Sequence, residues 1–75
     1  MSSTYKTLVT TAAKYADAKT VEGAIARQLQ PGMTPDSFSP ADLKAVMIRV
    51  TTAVKLYVPD AGKKAELVAA IQGLA

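Results

Sequence analysis

Fifteen side chains carry formal charge. Six are carboxylates, Asp17, Glu22, Asp36, Asp42, Asp60 and Glu66, and nine are Lys or Arg. No His and no Cys accompany them. That absence removes the Ser-His-Asp triad, the Cys-His pair, thiolate and imidazole metal sites, and disulfides. Carboxylates could still act as a general acid and base if two were paired in different environments. Here Glu22, Asp36, Asp42 and Asp60 fall at expected helix starts, where capping and the helix dipole account for them. No loop has the Asp-rich spacing of a calcium site, and the four well-separated glycines build no phosphate cradle. The chain is therefore expected not to be an enzyme and to use no cofactor and no metal.

The cations are Lys6, Lys14, Lys19, Arg27, Lys44, Arg49, Lys55, Lys63 and Lys64. They are spread along the chain, and the net charge of +3 is modest. Only Lys63-Lys64 are adjacent, so no basic tail marks a nucleic-acid or acidic-lipid partner. Phosphate binding needs only scattered Lys and Arg, so a small basic helical nucleic-acid-binding protein is the main rival reading. The segment from Glu22 to Leu29 has the cast of a first helix in a helix-turn-helix. The break after it is longer than that motif allows. The chain has no Asn for adenine and few aromatic rings for stacking. Membrane action is not expected. The apolar stretch from Val46 to Val58 is interrupted by Arg49 and Lys55 and is too short to span a bilayer. A secretory start is not visible, and a cytoplasmic location is expected.

Helices must position these groups, because apolar residues recur at three and four throughout. A first helix is expected from Ser3 or Thr4 to Ala16 or Asp17, with Tyr5, Leu8, Val9, Ala12, Ala13, Tyr15 and Ala16 on one side. A second is expected over Thr20 to Gln30, capped by Thr20, with Val21, Ala24, Ile25, Gln28 and Leu29 together. The stripe slips in phase between Ala16 and Val21, which places a break near Asp17 to Lys19. One long bent helix is the alternative.

Gln30 to Phe38 is the one substantial loop. Pro31-Gly32 suits the centre of a type II turn, and Thr34 can cap a single helical turn. Met33 and Phe38 are too apolar to leave in water. Both are expected to plug the end of the core, and the alternative makes them loop anchors for a partner.

The third helix is the best specified. Ser39 is the cap, Pro40 takes the first helical position, and Asp42 can complete a capping box. Phe38 and Leu43 can staple across the cap. Pro59 ends the helix near Val58. Leu43, Val46, Met47, Val50, Val54, Tyr57 and Val58 share an arc of about 120°. Ile48 and Leu56 lie roughly opposite that arc. With Ala45 and Thr52, and flanked by Arg49 and Lys55, they form a narrow strip able to receive another helix. That helix is either the first or fourth of the same chain or belongs to a partner. A fourth helix, capped by Asp60 and ending near Gly73, folds back on the third with Leu67, Ala70, Ile71 and Leu74 inward.

Residues 1–75 are thus expected to form a single all-α domain, a small four-helix bundle with short connections. A chain this short buries only about 60% of its unfolded surface. Tight packing, self-association or both must hold it together. The expected function is a small protein–protein interaction module, a regulatory or structural accessory protein acting through a helix face. Its partner is another protein or itself as a homo-oligomer. The candidate interface is Ala45, Ile48, Arg49, Thr52 and Leu56. A phage or virion structural component fits the same features.

Overall fold

Ser39 sets the start of the longest helix through two reciprocal bonds. Its hydroxyl accepts from the Asp42 N–H at 3.1 Å, and the Asp42 carboxylate accepts from the Ser39 N–H at 3.1 Å. This closed capping box satisfies two donors that a helix start leaves free. In the computed structural model, which describes residues 1–75, four helices follow in order. They are α1 (Ser3–Ala12), α2 (Ala18–Ala26), α3 (Pro40–Lys55) and α4 (Ala61–Gln72). There is no strand.

α4 falls at its expected ends, and α3 starts where expected but stops at Lys55, short of Val58, because the Tyr57 N–H to Val54 C=O and Val58 N–H to Lys55 C=O bonds tighten the chain into turns. Asp60 caps α4 by accepting from the N–H groups of Gly62 and Lys63, at 2.7 and 3.1 Å. α2 differs from expectation. Its cap is Asp17, not Thr20, it begins at Ala18, and it ends at Ala26, short of Gln30, because the Gln28 N–H to Ile25 C=O and Leu29 N–H to Ala26 C=O bonds tighten the chain into turns. A carboxylate competes better than a hydroxyl for the free N–H groups at a positive helix end. Thr20 becomes the donor, giving both its N–H and its hydroxyl to Asp17 at 3.0 and 3.1 Å. Glu22 consequently lies beyond the first turn and caps nothing. α1 stops at Ala12, short of Ala16, because residues 13–16 tighten into turns such as Tyr15 N–H to Ala12 C=O. The first two helices are therefore separate, as the phase slip implies.

The loop between α2 and α3 turns at Gln30–Met33, where the Met33 N–H donates to the Gln30 C=O at 2.9 Å. Gly32 has φ +91°, the position that turn reserves for glycine. Thr34 then accepts from the Ser37 N–H at 3.1 Å. The Ser2 N–H donates to the Pro35 C=O at 2.8 Å and ties this loop to the start of α1. The Met1 ammonium lies 2.8 Å from Asp36. That hydrogen bond, and then its charge, hold the Asp36 carboxyl below its usual range.

α3 touches all three other helices, while α2 and α4 do not meet each other. Its inner side supplies Leu43, Val46, Val50 and Val54, each fully buried. Tyr5 and Leu8 of α1, Val21 and Ile25 of α2, and Leu67 and Ile71 of α4 close around that column. Phe38 seals one end, its ring meeting Tyr5 edge-on at 5.4 Å between centroids. The radius of gyration, 11.1 Å, matches the ~11 Å of a compact chain this long.

Two outcomes follow. Ser39→Ala should lower unfolding free energy by about 1 kcal/mol in a urea titration. Burial, and then the charge of Glu22, raise the pKa of the Tyr5 hydroxyl above 10.0. The folded state thus holds that proton more tightly than the unfolded chain. Its stabilising effect is complete below the unfolded value and is lost as pH rises through the folded one. Urea midpoints at about pH 9 and about pH 11 should fall less in Tyr5→Phe than in the parent chain.

Candidate interaction surface

The inner and outer sides of α3 part company at Thr51. Its side chain is buried, and its hydroxyl donates back to the carbonyls of Met47 at 2.9 Å and Ile48 at 3.2 Å. A threonine satisfied by its own helix can sit at the core margin without an unpaired polar atom, and no buried side-chain polar atom in the chain lacks a partner. Beyond Thr51 the helix surface faces water.

Ala45, Ile48, Arg49, Thr52 and Leu56 are all exposed there. Ile48 is 81% exposed and Leu56 78%. Neither α1 nor α4 covers them, because α1 and α4 pack on the valine side, so the intramolecular alternative for this strip is removed. Only four large apolar residues in the chain are exposed, and Ile48, Leu56 and Tyr57 are three of them. The exposed greasy surface is therefore concentrated on one helix and its end rather than scattered. Tyr57 is steadied by the Arg27 guanidinium, which donates to its hydroxyl at 3.3 Å from the end of α2.

The strip has the four-cornered spacing that any helix surface offers to an inserted side chain. Ala45, Ile48, Arg49 and Thr52 stand at i, i+3, i+4 and i+7, the four corners that surround an inserted side chain. Thr52 keeps the floor low between the two larger knobs, and Ala45 does so about one turn before Ile48. Lys44 and Lys55 border the strip on the Ile48 side and Arg49 on the Leu56 side. The structure's ion pairs are Met1–Asp36 and Lys63–Glu66, so none of these three cations has an acid within reach.

The proposed loop anchors are placed differently. Phe38 is 2% exposed and belongs to the core. It is not free to anchor a partner, because its ring is the plug beneath Tyr5. Met33 is partly buried and packs against the same cluster. The burial of Phe38 was legible in its position before the cap.

Elsewhere the surface is shallow. A depression of about 420 Å³ is bordered by Met1, Tyr5, Lys19, Glu22, Gly23 and Pro35, and one of about 150 Å³ by Ser3, Thr4, Thr7 and Leu74. Both open widely to water. No three acidic side chains converge on a point. No helix is long and apolar enough to cross a membrane. Residues 27–39 separate α2 from α3, so these two helices do not form the short turn of a helix-turn-helix.

Comparison with protein-family models, curated proteins and solved structures gives no match to this chain.

Since the strip plays no part in the core, Ile48→Ala and Leu56→Ala should each change stability by less than ~0.5 kcal/mol. Leu43→Ala, on the opposite side of the same helix, should cost about 2–5 kcal/mol. Denaturant titrations of the three variants check the contrast.

Proposed function

We propose that this protein is a small non-enzymatic interaction module, a regulatory or structural accessory protein that docks a partner protein or a second copy through the outer face of α3. One observation carries the proposal: Ile48 and Leu56 are almost fully exposed on the helix that the other three hold in place. A rigid helix face with unpartnered apolar residues loses little conformational freedom on binding, which favours its use as a recognition surface.

A second reading has its own observation. Lys44, Arg49 and Lys55 are three unpaired cations on that face, and such groups can contact phosphates. The apolar residues between them argue for protein, since a phosphate backbone gives Ile48 and Leu56 nothing to bury against.

Comparing the parent chain with Ile48→Glu and Leu56→Glu tests the proposal. Both variants should keep parental helicity by circular dichroism. Sedimentation at two concentrations should show any self-association reduced in them. Proteins retained from a host extract by the parent chain should be lost from both. Unfolding of either variant, or equal retention and equal sedimentation by all three chains, would refute docking through this face.

A further inference from the structure

Resting on the docking reading of α3, we infer that the occupant of its outer face is an acidic amphipathic helix from another protein, with an apolar seam bordered by Asp or Glu on both sides. Charge supplies the first argument. The strip is bounded by Lys44 and Lys55 on one flank and Arg49 on the other, and none of the three is paired within the chain. The nearest acid on the helix, Asp42, is already engaged in the capping box. A partner with acids on both sides of its seam neutralises all three cations at once and gains register from them.

The second argument is shape. The corners Ala45, Ile48, Arg49 and Thr52 form one hole, and Arg49, Thr52, Ala53 and Leu56 form the next at the same spacing. Ile48 and Leu56 are about 12 Å apart along the axis. Between them, over Thr52, a Leu or Met of the partner finds apolar walls and a low floor.

A second copy of the chain fits less well. An antiparallel two-fold crossing over Thr52 would set Ile48 against the copy's Leu56, which is favourable. The same operation keeps each flank on its own side, so Lys44 and Lys55 line up with the copy's Lys44 and Lys55, and Arg49 with the copy's Arg49. Like charges brought together in this way are costly. Area points in the same direction. α3 has 16 residues, so it is about 24 Å long and about 10 Å across. Its outer side alone falls well short of the ~800 Å² per partner that stable interfaces bury. A small, charge-guided contact with a separate helix suits that area better than a permanent dimer.

The test uses the full chain, isotopically labelled, and three probes. Two are synthetic three-heptad helices with Leu along the seam, one bordered by Glu and its twin bordered by Lys; the third is a mixed-sequence DNA duplex. The Glu helix should bind saturably, with the largest amide shifts at Ala45, Ile48, Arg49, Thr52 and Leu56. The pair Ile48→Ser/Leu56→Ser should weaken it roughly tenfold or more. Arg49→Glu/Lys55→Glu should turn the preference towards the Lys helix. These residues lie outside the core, and a thermal melt of each variant confirms folding.

Equal or tighter binding of the Lys helix overturns the inference. So do shifts from the Glu helix that centre on Lys63 and Lys64. Tighter binding of DNA that survives Ile48→Ser/Leu56→Ser makes the face a phosphate contact and also overturns it. If shifts at the α3 strip follow protein concentration alone, or come from the Lys helix, the docking reading stands and the acidic partner falls. If no probe and no concentration change moves those amides, both fall.

Discussion

The column of Leu43, Val46, Val50 and Val54 along α3 is the constraint from which the rest of the structure follows. The helix that carries these four side chains meets α1, α2 and α4, and all four belong to the one buried cluster. No disulfide or thiolate metal site can assist them, since the chain has no Cys. Each fully buried side chain contributes at most ~1.5–3 kcal/mol, so cohesion in a chain this small comes from sharing one column among three partners. The three valines also explain how Val50-Thr51-Thr52 can be helical. β-Branched residues disfavour helix locally, but their fixed rotamers fill a packed interior well. Tertiary burial outweighs that local preference, and Thr51 answers its own hydroxyl within the helix.

Around that column the helix ends are set by short-range polar bonds. Ser2, Asp17, Ser39 and Asp60 each accept from N–H groups two or three residues ahead. Three of the six acids are therefore engaged as caps: Asp17, Asp42 in its box, and Asp60. Asp36 and Glu66 are engaged in ion pairs. Five of six acids are thus committed to the chain's own structure, while the cations of the α3 outer face are left without partners. Of the nine Lys and Arg side chains only Lys63 is in an ion pair, and Lys44, Arg49 and Lys55 are the unpaired ones that border the apolar strip.

Much of this arrangement was legible in the residues, and the exceptions have physical reasons. The starts of α3 and α4 were readable because each has a single good cap, whereas α3 ends three residues before Val58 because the chain tightens into turns ahead of Pro59. α2 was misread at its start because Asp17 and Thr20 are both competent caps three residues apart. Choosing between them depends on which oxygen is free to accept, and Thr20 turns out to spend its hydroxyl as a donor. α1 was read too long because Ala13, Tyr15 and Ala16 continue the apolar period even after the backbone has tightened into turns. They still pack against the core, so periodicity reported burial correctly while overstating the helix. The outer strip was visible as residues out of phase with the main stripe. Whether another helix of the chain would cover it was not visible. That depends on the direction in which Val58-Pro59-Asp60 returns α4, and the return places α4 against the valine side.

Ile48 contributes nothing to the packing of the folded chain at 81% exposure. It adds little to local helix stability, since a β-branched residue is a poorer helix former than Ala, Lys or Glu. Single exposed apolar residues are ordinary on protein surfaces. Ile48 is not single in that sense. Two turns on, Leu56 repeats the exposure on the same side, with small residues between and cations at the borders. A surface set only by solubility would place polar residues at both points, as the chain does at Lys6 on α1 and at Lys63 and Glu66 on α4. Two unsheltered apolar knobs thus lie beside three cations that form no ion pair, and α3 is the element whose inner packing can hold that surface still.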